Sequence, residues 1–176
     1  MIVLALAALL ATGGGLGAVP PLACPSGAER RGLAPPEGFE EWCAARDEAG
    51  KERREGPARR YYDDGGVWVE EAFHAGERDG AYLEYHRGGG KAREGAYIQG
   101  VKVGRWTVWS PSGKPEEESD WREGVLHGRF VSYWPSGVHR AEGRHCGGAQ
   151  CGTWRTWDEG GALLGSVDYA EPTLAP

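Results

Sequence analysis

The chain has little of what ordinarily fills a globular core. Leu, Ile, Val and Phe together make only 19 of the 153 residues from Cys24 onward, below the roughly 20% that commonly marks disorder. It has no excess of positive charge, since 20 Lys and Arg face 26 Asp and Glu for a net charge of −6. A nucleic-acid binder needs a basic face to displace counterions from phosphates, so no nucleic-acid partner is expected. Its longest apolar run, residues 2–11 (IVLALAALLA), is too short for the roughly 20 residues that anchor a helix across a bilayer. No serine sits in a nucleophile elbow. The Gly88-Gly89-Gly90 triplet falls at a hairpin tip rather than before a helix, which excludes a phosphate loop. The five histidines, His74, His86, His127, His139 and His145, share no spacing. These absences point away from an enzyme, and no cofactor is expected.

What the chain has instead is glycine and aromatic rings. Glycine is 30 of 176 residues, and eight Trp and seven Tyr supply the bulk. Both follow one period. Gly56, Gly80, Gly104, Gly128 and Gly152 are each 24 residues apart. Counting each unit from the residue after such a glycine, position nine is again glycine: Gly65, Gly89, Gly113, Gly137 and Gly161. Position two carries Tyr82, Trp106, Phe130 and Trp154, with Ala58 the exception in the first unit. Position five is Tyr61, Tyr85, Trp109, Tyr133 and Trp157, and position seventeen is Phe73, Tyr97, Trp121, His145 and Tyr169. Several columns holding one period without a gap define an internal repeat.

Each unit parses as a β-hairpin. Trp106 to Ser110 suits a pleated surface. Pro111-Ser112-Gly113 then reads as a turn whose glycine takes the positive φ that closes a three-residue loop. Residues 116–122 return, and Gly124 to Gly128 is read as the reversal into the next unit. Turn glycines recur too often for helices. The expected fold is all-β: an elongated, open antiparallel meander of about ten strands, built from stacked 24-residue hairpins. Positions two and five have opposite parity. Strict alternation therefore puts aromatics on both faces, and a bulge would reconcile them; both arrangements stay open.

The pattern glycine, aromatic at two and five, glycine at nine, then Glu, aromatic and two closing glycines resembles the MORN-repeat variant family. Gly104 to Gly128 (GRWTVWSPSGKPEEESDWREGVLHG) is the best copy. The resemblance covers residues 57 to about 170. It implies an elongated β-sheet used for binding, and bacterial members are filed as antitoxin-like.

The remaining segments divide as follows. Residues 1–23 fit an export signal with cleavage between Ala23 and Cys24. Leu22-Ala23-Cys24 also fits a lipobox, with membrane attachment only if Cys24 is lipidated. Residues 24–56 form a cap and connector, 57–170 the five repeats, and 171–176 a tail. Phe39 and Trp42 lie on a short helix or on a strand pairing with the first repeat, the strand being preferred. Ala44 to Arg60 reads as a solvated connector. In an exported chain Cys24–Cys43 and Cys146–Cys151 are expected as disulfides, with a zinc site of His139, His145, Cys146 and Cys151 as the alternative.

Two columns are candidate sites. Position fourteen is Glu in four consecutive units, Glu70, Glu94, Glu118 and Glu142. This row offers itself to cations or a basic partner, or each Glu pairs locally with a turn or an Arg. The aromatics Tyr82, Tyr85, Trp106, Trp109, Phe130, Tyr133, Trp154 and Trp157 are either core or a ligand platform. The functional expectation is an exported, extracytoplasmic scaffold for a protein partner. The alternatives are a binder of cell-wall glycan through exposed rings, and an antitoxin-like neutraliser of a partner protein.

Overall fold

The computed structural model describes residues 19–172. Twelve strands form one antiparallel sheet in chain order, with no helix among the described residues. They are β1 (Glu29–Leu33), β2 (Glu40–Arg46), β3 (Glu52–Tyr61), β4 (Val67–His74), β5 (Glu77–Tyr85), β6 (Lys91–Ile98), β7 (Val101–Trp109), β8 (Pro115–Arg122), β9 (Val125–Tyr133), β10 (His139–Cys146), β11 (Ala149–Trp157) and β12 (Leu163–Tyr169). The sheet is an open meander; β1 and β12 are its edges. At the usual strand spacing of about 4.8 Å it is roughly 50 Å across.

All five hairpin tips share one geometry. In the third unit Gly113 N–H donates to the Ser110 carbonyl at 2.9 Å, and Ser110 N–H to the Lys114 carbonyl at 2.8 Å. Gly113 has φ +80°, the left-handed value that glycine adopts at no steric cost. The residue at position twelve is then extra. Val108 pairs with Glu117 and Trp109 with Pro115, so Glu116 is bulged. Trp68, Ala92, Arg140 and Leu164 are skipped in the same way.

The reversals between units correct the sequence reading. The chain turns at Glu123-Gly124 alone, and Val125 to Gly128 already belongs to β9. Both turn residues lie at positive φ, at +51° and +80°, as a two-residue type I′ turn requires. Ala75-Gly76 and Gln99-Gly100 do the same. Each reversal is tied to the unit before it: Gly76, Gly100, Gly124 and Gly148 N–H donate to the carbonyls of Arg54, Arg78, Lys102 and Leu126.

The N-terminal segment also departs from expectation. Ala44 to Arg60 is not a solvated connector: it holds the end of β2 and most of β3, with Ala44, Ala58 and Arg59 buried. Its alternating charges find partners across the strands, which a single-strand reading does not reveal. Trp42 lies on β2, opposite Ala58. That pairing explains why the first unit has a small residue at position two: the ring comes from the neighbouring strand instead. The proposed signal segment falls largely outside the described residues.

Candidate functional site

The two faces are chemically distinct, and strand pairing assigns them. Ala58, Glu71, Tyr82 and Gly95 form one cross-strand row. Arg59, Glu70, Leu83, Glu94, Thr107, Glu118, Val131, Glu142 and Arg155 form the adjacent row. Neighbours along a strand point to opposite faces, so position two and the glutamate column lie on opposite sides. The bulges do not bring positions two and five together; aromatics occupy both faces.

On the first face the rings interleave. Tyr82, Tyr97 and Trp106 have centroids 5.1 to 5.7 Å apart. Phe130, His145 and Trp154 repeat the arrangement at 5.0 to 5.5 Å. Trp106 and Trp154 are only 2% and 7% exposed, so these two rings are core and present no platform. Each ring lies over a glycine of the preceding strand. A Cβ on Gly95 or Gly143 would fall inside the Trp106 or Trp154 indole. Burial, aided by Glu84, pushes the Tyr82 hydroxyl up to about 12. Lys102 closes the Trp106 ring from above at 4.1 Å and Trp121 at 4.5 Å. Burial and then Arg93 lower its ammonium below the ordinary lysine value.

On the second face the four glutamates are engaged, by two devices. Where the next unit has Tyr at position five, its hydroxyl donates: Tyr85 to Glu70 at 2.9 Å and Tyr133 to Glu118 at 3.1 Å. Arginines complete both sites, Arg59 for Glu70 and Arg129 for Glu118. Where position five is Trp, position eleven supplies the partner, Lys91 or His139. Lys91 bonds Glu94 at 2.7 Å and lies 5.8 Å from the Trp109 ring. His139 reaches Glu142 at 3.4 Å and packs between Tyr133 and Trp157. The column is thus a set of local pairs rather than a row of free carboxylates.

A buried polar knot joins cap to repeats. Arg59 is 5% exposed and donates to Glu70, to Glu41 at 3.3 Å and to the Pro20 carbonyl at 3.0 Å. Tyr61 donates to the same Glu41 at 2.8 Å. Burial opposes the Arg59 charge most strongly, yet its hydrogen bonds with Tyr61 and Glu70 keep the guanidinium above its ordinary value. Arg59 escapes a sequence reading because it is one of five arginines from Arg46 to Arg60; only the cross-strand register selects it. Lys102 and Gly95 escape likewise, since neither column is uniform.

Cys24 is bonded to Cys43, and Cys146 to Cys151. Cys146, Cys151 and Glu171 bring their ligand-type atoms within 4.8 Å of one another, but the disulfide occupies both sulfurs, so the zinc alternative loses its thiolates. An open depression of about 540 Å³ is lined by Glu40, Arg54, Arg60, Glu71, Phe73 and Arg78 among others. Its charges compensate one another: Arg54 pairs with Glu40, and Arg60 and Arg78 with Glu71. No protein-family model matches the chain, and no curated protein matches it.

Proposed function

We propose that the protein is an exported, non-enzymatic interaction scaffold of the MORN-variant type, working for a protein partner at the cell envelope. The observation that carries this reading is the sheet itself: wide, open and held to a fixed pitch by bonds between successive units. Such a sheet offers extended surface where an enzyme would offer an enclosed cleft. Two disulfides suit an oxidising compartment.

The half-buried position-five rings Tyr85, Trp109, Tyr133 and Trp157 favour one second reading, a cell-wall glycan stacked along that face. Quenching of Trp fluorescence by soluble peptidoglycan fragments would select it.

The first test is intact mass of the protein from its native cells, with and without reduction and alkylation, joined to cross-linking in the same cells. The expected result is a start at Cys24, no lipid, four paired cysteines and a cross-linked envelope protein. An intact Met1 with four alkylatable thiols would overturn export and favour an antitoxin-like role in the cytosol.

A further inference from the structure

The two edges of the sheet are finished differently. β1 presents Glu29, Arg30 and Arg31, with Leu33 its exposed large apolar side chain. β12 presents Leu163, Leu164, Val167 and Tyr169, exposed by 57, 67, 55 and 39%. No strand pairs with its outer side among the described residues. A bare apolar edge ordinarily invites another strand.

The repeat itself specifies the strand that would follow. Position fifteen is Glu71, Gly95, Ser119 and Gly143 in the first four units. Each is covered from the next unit: Glu71 and Ser119 pair with Tyr82 and Phe130, and the rings of Trp106 and Trp154 lie over Gly95 and Gly143. Val167 is the fifth member. It pairs with Trp154 on its inner side and has no ring beyond it.

A cation is also missing there. Arg54, Arg78 and Lys102, at 24-residue spacing, each stand over aromatic rings at 4.1 to 5.5 Å. The next two members of that column are Leu126 and Gln150. Trp154 and Tyr169, whose centroids are 6.5 Å apart, are the counterparts of Trp106 and Trp121. Neither has a cation over its face among the described residues.

Charge completes the description. From residue 156 to the end the sequence has no Lys or Arg but carries Asp158, Glu159, Asp168 and Glu171. Asp158 is committed to its own turn and Asp168 to Thr153. Glu171 lies 3.7 Å from Arg144, and this end stays acidic.

We infer that β12 accepts an extended, basic segment of a partner protein as a thirteenth strand. That segment lays an aromatic or alkyl side chain over Val167 and a Lys or Arg over the exposed Tyr169 ring beside it. Main-chain bonds supply affinity and alternate side chains supply choice, as in other strand additions. A second copy fits less well, because another β12 would bring a second set of carboxylates to the same edge. The inference rests on the scaffold reading and names its docking edge and the partner's chemistry.

The test is an amide-NMR titration of the full-length chain with two synthetic probes. One is the heptapeptide Lys-Thr-Lys-Thr-Trp-Thr-Lys with blocked ends, which puts its lysines and its indole on one face; the other replaces every Lys by Glu. The expected result is binding of the lysine peptide alone, with shifts along β11 and β12 that weaken as salt rises. Val167→Lys, at an exposed position that leaves the other amide signals in place, should weaken binding at least tenfold. Asp168→Lys combined with Glu159→Lys should move the preference toward the glutamate peptide. Equal binding of both peptides, no binding, or shifts confined to the Glu70–Glu142 face would overturn the inference; so would concentration-dependent pairing of β12 with itself. Those outcomes leave the scaffold reading standing. Failure to find an envelope partner by cross-linking would remove that reading without touching the peptide result.

Discussion

The first strands and the last strands are the same β-hairpin, yet they hold together by different means. At the N-terminal end, Arg59, Glu41, Glu70 and Tyr61 form a buried polar knot. A disulfide with 19-residue separation staples the segment that covers it. At the C-terminal end, Phe130, His145 and Trp154 stack, the disulfide spans only 5 residues, and the outer strand is apolar, with no strand beyond it among the described residues. A polar knot satisfies itself and so can close a sheet. Ring stacking always leaves one more surface to cover and so suits propagation. The end built for closure carries a long covalent staple; at the end built for propagation no strand lies beyond β12 among the described residues.

The sharpest way to break this contrast is to remove a cation from each end. Arg59→Met strands Glu41, which is 2% exposed, and should cost about 3–5 kcal/mol. Arg155→Met, at an exposed site on β11, should change stability by less than about 0.5 kcal/mol. Chemical denaturation of both variants measures the difference, and equal losses would dissolve the distinction. The disulfides come next. Loop-closure entropy assigns about 3 kcal/mol to Cys24–Cys43 and about 2 kcal/mol to Cys146–Cys151. Paired Cys→Ser variants compared by calorimetry should follow that order.

Glycines sharpen the contrast within the C-terminal end. Gly143→Ala must displace the Trp154 indole and should cost about 1–3 kcal/mol. Gly165→Ala on β12, where an added methyl meets nothing within 4 Å, should be nearly silent. In the middle of the sheet, Glu118→Gln weakens two hydrogen bonds, from Arg129 and Tyr133, and should lower the melting temperature by the equivalent of about 1 kcal/mol. An unchanged melting temperature would mean that the column contributes nothing to the fold. The smallest effect is a pH dependence. Burial lowers the His145 imidazole below its ordinary value, so the folded state binds fewer protons than the unfolded chain just below pH 6.5. Stability should therefore fall as pH drops from the ordinary histidine range toward the lowered folded value. His145→Phe should flatten that slope while leaving the neutral-pH fluorescence of the indoles close to its original form.

Much of this architecture was legible because it repeats. The 24-residue period, the tip turns at Gly113 and Gly137, and the aromatic columns follow from residue types that only a few backbone conformations accept. The two-residue reversals were not legible, because Ala75, Gln99 and Glu123 occupy left-handed conformations that their side chains do not advertise. β3 was missed because its partners for Arg54, Arg59 and Arg60 come from β2 and β4. The glutamates were visible as a column. Their two modes of engagement became visible only when Tyr or Trp at position five could be placed beside each one.

The bonds that tie each reversal to the unit before it have a mechanical consequence. The described chain enters at one edge of the sheet and leaves at the other, so tension applied through its ends pulls across the strands. Load then falls on one hairpin at a time, and the sheet should unzip in equal steps rather than shear as a block. The steps begin at β12, because the other edge strand, β1, lies inside the Cys24–Cys43 loop, and the last hairpin to yield is the one stapled at Cys43. Under tension the molecule is a ratcheted ribbon that lengthens from one end.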